Sequence, residues 1–464
     1  MRSRKRTATA TAAATAMAIA AITGALGTAN GCADPDPSSI DGTPDAADAS
    51  TNDAALPDAA APGDAGLDAP RDAAYDAADE PVSCAVTPCA VALAAGYAHA
   101  CALLGDGTVR CWGDDFKGAL GAGASDGGGP TIGPVQVADV TDATQISAAG
   151  WVTCVRTAAG DVKCWGNNDK GQLGLTADTP TVDDDPHPSA SVAAITGSAV
   201  RVDVGYDSAC ARLESGELWC WGANEHNQLL RPDAGAFGGP ALLTLGESSP
   251  VRWPQTAFAG VTGYAITEDG GLLSWGVVSG RNTSFPFDPE PRLLAPLAGV
   301  VDVAAGPTTL AFESAFSHTC AIASGRVHCW GKTFADDVPA FCTGVPNDQR
   351  VPVIAPLHGS AYPQQIAVAP TTTCVRLTDG TIECCGDDVR GQLGLGSVSA
   401  NRTVLSFTPV ALTGHAVQVV TGGTMTCALL REGRVFCWGG NERGELGQGS
   451  VDSSPHPTPL PVSF

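Results

Sequence analysis

Positive charge is what this chain has least of. Lys and Arg number 25 against 49 Asp and Glu, a net charge of −24. Binding to phosphates needs a Lys/Arg footprint, so nucleic acid is excluded as a partner and an anionic membrane surface is repelled. Long apolar runs are missing too: beyond a mildly apolar stretch at residues 7–26, no segment is long enough to cross a bilayer. The eight histidines are scattered, and no Gly-Lys-Ser/Thr follows a glycine turn, so neither a catalytic set nor a phosphate loop is offered. No cofactor motif is present. Acidity of this kind keeps an exported protein soluble, although it permits a basic partner.

Cysteine, by contrast, is abundant. Seventeen cysteines suit an oxidising compartment and would be unusual in a reducing cytosol. The charge is unevenly spread, with +4 on residues 1–32, about −12 on residues 33–83 and about −16 beyond. Arg2, Arg4, Lys5 and Arg6 precede the apolar stretch, and Ala29-Asn30-Gly31-Cys32 follows it. Residues 1–31 therefore resemble a bacterial lipoprotein signal, with Cys32 lipidated, although Ala29 stands where such signals usually have Leu. The rival reading is ordinary signal peptidase cleavage, which leaves Cys32 free or removes it. Residues 32–83 are almost wholly Asp, Ala and Pro with Tyr75 the only aromatic, a composition expected to form a disordered tether.

From residue 84 to residue 464 the chain repeats itself. A cysteine, a short turn, a second cysteine and Trp-Gly recur seven times. The landmarks are Trp112, Trp165, Trp221, Trp275, Trp330, Cys385 and Trp438, spaced by 53, 56, 54, 55, 55 and 53 residues. So steady a period means one ring of repeated supersecondary units. Within a unit, apolar alternation on both sides of a Gly-containing turn predicts a β-hairpin. Symmetry about the turn sets the two cysteines opposite each other, where a disulfide closes. The pairs are Cys101–Cys111, Cys154–Cys164, Cys210–Cys220, Cys320–Cys329, Cys374–Cys384 and Cys427–Cys437. In the fourth unit Tyr264 and Ser274 replace both members together, as expected of partners. Zinc is the alternative, but ligand pairs are normally two to four residues apart. With Cys32 lipidated, Cys84, Cys89, Cys342 and Cys385 remain. One of their three connectivities joins Cys84 to Cys89 and, between neighbouring units, Cys342 to Cys385 in place of the missing Trp.

The Trp after the second cysteine points to the opposite strand face, which suggests a wedge buried against the next unit. Behind it the best copies read Gly166-Asn167-Asn168-Asp169-Lys170-Gly171-Gln172-Leu173-Gly174, with counterparts around Gly391 and Gly444. This pattern, preceded by Cys-Ala-Leu and a Gly turn, resembles the repeat of the regulator of chromosome condensation family over roughly residues 90–464. The resemblance implies an all-β, seven-bladed β-propeller of four-stranded antiparallel blades. The third unit blurs after Asn224, and the fourth and fifth lose the Gly-Gln-Leu-Gly segment. The C-terminal Pro461-Val462-Ser463-Phe464 is similar to Pro134-Val135-Gln136-Val137 and is expected to pair into the first blade and close the ring.

Function is less legible than fold. Founding members of the family exchange guanine nucleotide on a nuclear GTPase, but no residue here maps onto an exchange wedge. A secreted bacterial relative of the fold inhibits a β-lactamase with one propeller face. His99 and His318 share one repeat position and read as structural hydrogen bonds. Asp183-Asp184-Asp185 reads as a solvated acidic loop rather than a calcium site, and the sequons at Asn282 and Asn401 carry little weight. The reading is a non-enzymatic, exported protein, an outer-membrane or cell-surface lipoprotein or else periplasmic or secreted. It is expected to be a monomer, touching the membrane only through Cys32, and to bind a protein or cell-envelope macromolecule through loops on one rim. The candidate loops are residues 123–133, 176–199, 231–254, 277–296, 307–315 and 332–363. The alternative is an inhibitor of a secreted hydrolase. Peptide mapping of the unreduced exported protein is expected to return the six hairpin links and a lipid-bearing Cys32 peptide. Free thiols at the hairpin positions would contradict the reading.

Overall fold

The computed structural model describes residues 80–123, 129–176, 181–243, 255–259, 262–276, 280–281, 288–307, 317–332, 342–344 and 348–464. Cys32, the signal and nearly all the tether lie outside them, as do residues 308–315 and parts of the other candidate loops. Twenty-eight strands form seven four-stranded antiparallel sheets, each from four consecutive strands. The first blade comprises β1 (Ala90–Ala95), β2 (His99–Leu104), β3 (Val109–Asp114) and β4 (Pro130–Gln136). The others span residues 143–192, 199–242, 256–293, 300–354, 363–409 and 416–461. Each innermost strand lines a central channel of about 760 Å³. The chain is a seven-bladed propeller, as the repeat count implies.

Each blade centres on the hairpin of its second and third strands. Cys101 lies opposite Cys111, and the same register holds for the five equivalent pairs. All six pairs are bonded, with Cα–Cα separations of 4.0–4.1 Å. In the fifth blade the turn shrinks to Ser324-Gly325, both at positive φ (48° and 72°), as a two-residue type I′ hairpin requires.

Because side chains alternate, the cysteine face of a hairpin and the Trp face look at different neighbours. Cys154 and Leu173 of the second blade share a buried cluster with Trp221 of the third, so each Trp packs on the preceding blade and not the next. The sequence period fixes that the two faces differ but not which way round the ring they point. Each indole also donates to the loop it covers. Trp165 reaches Ala119 O (3.0 Å), Trp221 Gln172 O (2.7 Å), Trp275 Gln228 O (2.7 Å) and Trp438 Gln392 O (3.0 Å). Trp112 reaches Glu445 O (2.9 Å) and so latches the first blade to the seventh. The acceptor loop needs its glycine: a Cβ on Gly174, at φ 64°, would stand 2.9 Å from the Trp221 nitrogen. Gly171, Gly391 and Gly444 hold the left-handed turn of the same loop at φ 77°, 78° and 81°.

The two remaining seams follow the units that lost Gly-Gln-Leu-Gly. Tyr264, standing where the fourth hairpin lacks its cysteine, turns its hydroxyl to the Trp330 nitrogen (3.4 Å), ring against ring at 5.9 Å. At the fifth-to-sixth seam Cys385 occupies the Trp position and is bonded to Cys342 of the preceding blade, Cα–Cα 5.5 Å. Loss of the common acceptor is thus matched by a phenol at one seam and a covalent bond at the next.

Nearer the axis, side chains bridge innermost strands. Gln145 spans to Val202, Gln365 to Val419 and Gln418 to Leu93, each bonding both backbone groups at 2.7–3.1 Å. Asp203 accepts from Thr256 and Asp302 from Ile366. Ala92 holds the glutamine position in the first blade. There His99 Nε2 shares a hydrogen bond with Thr153 of the next blade (2.8 Å).

The expected strand exchange at closure does not occur. Asp452–Pro461 is the outermost strand of the seventh blade, paired with Val435–Asn441 of that blade. The first blade already owns four strands. Pro134 and Val135 belong to its outermost strand, so the likeness to the C-terminus is one of equivalent position: Val137 donates to Val109 and Val462 to Val435. The tail still crosses the seam by packing, with Phe464 5.8 Å from Trp112. Upstream, Ser83, Ala85 and Ala90 donate to Arg431, Glu432 and Gly433 of the seventh blade, and Cys84–Cys89 closes the short loop between them. Glu80 pairs with Arg431, His415 (2.9 Å) and the buried Arg376 (3.4 Å). Residues 80–83, given to the tether by composition, are therefore held on the ring. Outermost strands keep a free edge, and prolines at positions such as 455, 457, 459 and 461 deny it to a further strand.

Tyr264→Phe leaves a buried indole N–H without its acceptor. It is expected to lower stability by about 1–3 kcal/mol in urea unfolding; an unchanged midpoint would contradict the latch.

Candidate binding face

Two kinds of connection, innermost-to-second and third-to-outermost, emerge on one side of the ring, here the loop face. Hairpin turns and crossings between blades occupy the other. Of the described parts of the candidate loops, residues 181–186 and 231–236 connect third to outermost strands on the loop face, whereas residues 193–198 and 355–362 cross between blades on the hairpin face. The loop-face segments are pinned from below. Asp115, Asn168, Asn224, Asp388 and Asn441 each accept the N–H five residues on, at 3.0–3.3 Å. The third unit keeps this geometry through Asn224 and Gln228 although its sequence blurs.

On this platform the first three blades differ from the rest. After the innermost strand they read Gly96-Tyr97, Gly150-Trp151 and Gly205-Tyr206, where later blades have Gly306-Pro307, Ala369-Pro370 and Gly422-Gly423. Tyr97 donates its N–H to Gly150 O, and its ring centroid is 5.5 Å from that of Trp151. Phe116, 42% exposed, stands 5.0 Å from the Trp151 ring on the other side. Lys117 lies over Phe116 and pairs with Asp184 at 2.6 Å. Tyr97 and Tyr206 both line the channel mouth. Sequence reading passed over these aromatics, although the Gly-aromatic pair recurring in three consecutive units was there to be found.

Asp207 follows Tyr206 and is the anomalous acid of this face. Burial pushes its carboxyl up to about 6; Asp169 adds to the rise, Lys170 opposes it and Glu225 adds again. Other loop-face acids spend their oxygens locally. Asp169 accepts from Asn167 and Gln172, and Asp183 from Asn168 while sharing a proton with His187. With Asp184 on Lys117, the acidic triplet is a bracket between the first two blades.

The two repeat histidines are interior. His318 Nε2 shares a hydrogen bond with Thr373 of the next blade (2.9 Å), as His99 does with Thr153, and burial pushes both imidazoles down to about 4. Both are neutral near pH 7 and tie seams together. His318 also lies with Cys320 and Cys329 in the one three-residue group of metal-ligand type among the described residues, but those sulfurs are bonded to each other.

Comparison with known proteins agrees with this geometry. The family model for the regulator of chromosome condensation (RCC1) repeat matches residues 90–119, 143–172, 199–228 and 416–445; a second model of the repeat matches 432–463. The mitochondrial RCC1 domain-containing protein RUG3 of Arabidopsis thaliana is 29% identical over 274 residues, 56% of this chain and 57% of that one. The ultraviolet-B receptor UVR8 of the same plant is 26% identical over 367 residues, 78% and 79% of the two chains. Among solved structures, human WBSCR16 superposes with a TM-score of 0.59 at 20% identity, covering 73% of this chain and 86% of its own. Yeast RCC1 (Prp20), in complex with Kap60, gives 0.60 at 17%, covering 76% and 83%. These structural likenesses speak to the fold.

A raised carboxyl pKa means that folding is favoured most below the unfolded value near 4, and that this contribution is lost as pH rises through about 6. Asp207→Asn is therefore expected to stabilise the protein at pH 7.5 by roughly 1–3 kcal/mol in urea titrations. The difference should vanish below about pH 4. A destabilised variant at pH 7.5 would contradict the assignment.

Proposed function

We propose that this chain, a seven-bladed propeller built of regulator of chromosome condensation repeats, is a non-enzymatic protein that captures a protein partner on its loop face. The observation that carries the reading is the concentration of Tyr97, Phe116, Trp151 and Tyr206 on one sector of that face. Partly exposed aromatic side chains on a rigid support are what interface hot spots are made of. Family relatives lend general support: the solved yeast RCC1 is bound to Kap60.

The setting proposed is the cell envelope. Hairpin disulfides suit an oxidising compartment, and no helix among the described residues is long and apolar enough to cross a membrane. Cys32 would carry lipid and residues 32–79 would serve as the tether. Glu80, where the described chain begins, is held by Arg431 and His415 on the hairpin face. A tether leaving there would present the aromatic sector away from the membrane.

The test uses the unreduced, mature chain as bait in periplasmic and surface extracts. Tyr97→Ala and Trp151→Ala are expected to lose the partner, and Glu217→Gln on the hairpin face to keep it. A partner held equally by all three would overturn the reading. A captured hydrolase silenced at one-to-one stoichiometry would place the chain among inhibitors.

A further inference from the structure

We propose that the loop face between the second and third blades is a receptor for a Lys or Arg side chain, presented by an extended basic segment of the partner. The inference rests on the loop face being the protein-binding face, and it names the chemistry that face selects.

Three observations converge on one spot. Asp207 sits at the turn from the innermost to the second strand of the third blade, partly buried. No side-chain hydrogen bond to its carboxylate occurs among the described residues, although its main-chain carbonyl accepts from Ala223 (2.8 Å). A carboxylate so largely covered and without a protein donor is less well solvated than a free one, and an amide at the same place would avoid that cost. Its charged neighbours are Asp169, Glu225 and Lys170. Lys170 is paired with Glu225 at 3.4 Å and lies 5.3 Å over the Phe237 ring. One cation among three acids leaves the spot with two uncompensated negative charges.

An aromatic wall stands beside it. Tyr206 packs against Gly150, where a Cβ would stand 2.9 Å from the Tyr206 carbonyl oxygen and 3.3 Å from its ring. Burial, with the charges of Asp207 and Asp169, raises the Tyr206 phenol well above its usual range and keeps it neutral. Tyr97 continues the wall at the mouth of the channel, with Trp151 packed against it at 5.5 Å. A ring face beside a carboxylate without a donor suits a cation: the ring attracts it electrostatically and the carboxylate takes its N–H groups. The sign of the charge turns away phosphates, carboxylates and nucleotides. Arginine fits best, because a planar guanidinium can stack on Tyr206 while donating to Asp207.

The commitment to a peptide segment follows from extent. Further acids stand along the rim, Asp185 over the second blade and Asp233 in the third blade's own loop, whereas Asp114 faces Arg443 (3.7 Å), Asp183 His187 (2.8 Å) and Asp184 Lys117 (2.6 Å). A lone small cation would use one such acid pair; a run of basic residues would use the arc.

Fluorescein-labelled octa-arginine, titrated into the full unreduced chain at 150 mM NaCl and followed by anisotropy, tests this. Saturable binding is expected, weakened at least tenfold by Asp207→Asn and by Tyr206→Ala. Asp161→Asn and Glu217→Gln, which remove the same charge from the hairpin face, should change it less than twofold. Absence of saturable binding, or equal weakening by the hairpin-face variants, would overturn the proposal. So would agmatine competing at the same molar concentration as the peptide, since that would mark a small-molecule pocket. If the peptide fails while Tyr97→Ala and Trp151→Ala still abolish partner capture, the protein-binding reading stands without the basic segment. If capture is also unaffected, both fall.

Discussion

A buried indole donating to a carbonyl of the preceding blade is the interaction on which this ring depends. A four-stranded sheet cannot hide both its faces alone, so a propeller exists only if each sheet is covered by its neighbours. The Trp does this with one side chain. It fills the gap between sheets, and its single polar atom finds a partner in the loop it covers, so the indole itself leaves nothing unpaired. The chain defends the arrangement where it would fail. A loop without its acceptor is followed by Tyr264 reaching to Trp330, or by Cys385 joined to Cys342. The ring end is defended as well, by Trp112 on Glu445, Phe464 on Trp112, and Glu80 among Arg376, His415 and Arg431.

What could be read in advance divides by range. The blade count, the hairpins and the cysteines facing each other are local matters, set by a period of two and a turn of known length. Missing Cys in the fourth unit could be read as the loss of a pair, but not as making room for a phenol that serves the fifth blade. That role appears only once Tyr264 and Trp330 are neighbours in space. The direction of the Trp wedge and the manner of closure were misjudged for a related reason. A repeat pattern says which units touch, but not the hand of the ring or which strand ends it. The binding sector was missed because attention went to loop length. Its signal was a change of residue type at one repeat position, Tyr97, Trp151 and Tyr206 against Pro307, Pro370 and Gly423.

Scaffold and site separate cleanly in this chain. The seams rely mainly on neutral groups: indoles, amides, and histidines kept uncharged by burial, joined by Asp203 and Asp302 near the axis. Among the carboxyls raised by burial are Asp302, whose oxygens accept from Gln255 and Ile366 near the axis, and Asp207 at the loop face, which follows Tyr206. On the proposed reading, Asp207, raised by burial and without a side-chain donor, gives up stability for recognition at the rim. On the same reading, the acidity that disfavours nucleic acid is also what would select a cationic partner.

The most direct test of the seam account is hydrogen exchange at the tryptophan indoles, resolved by NMR on 15N-Trp-labelled protein. Six of the nine indole protons, those of Trp112, Trp165, Trp221, Trp275, Trp330 and Trp438, should exchange only through global opening, with a common free energy, while Trp151 exchanges far faster. Six unrelated exchange rates, or protection no greater than that of Trp151, would show that the latches do not hold the ring.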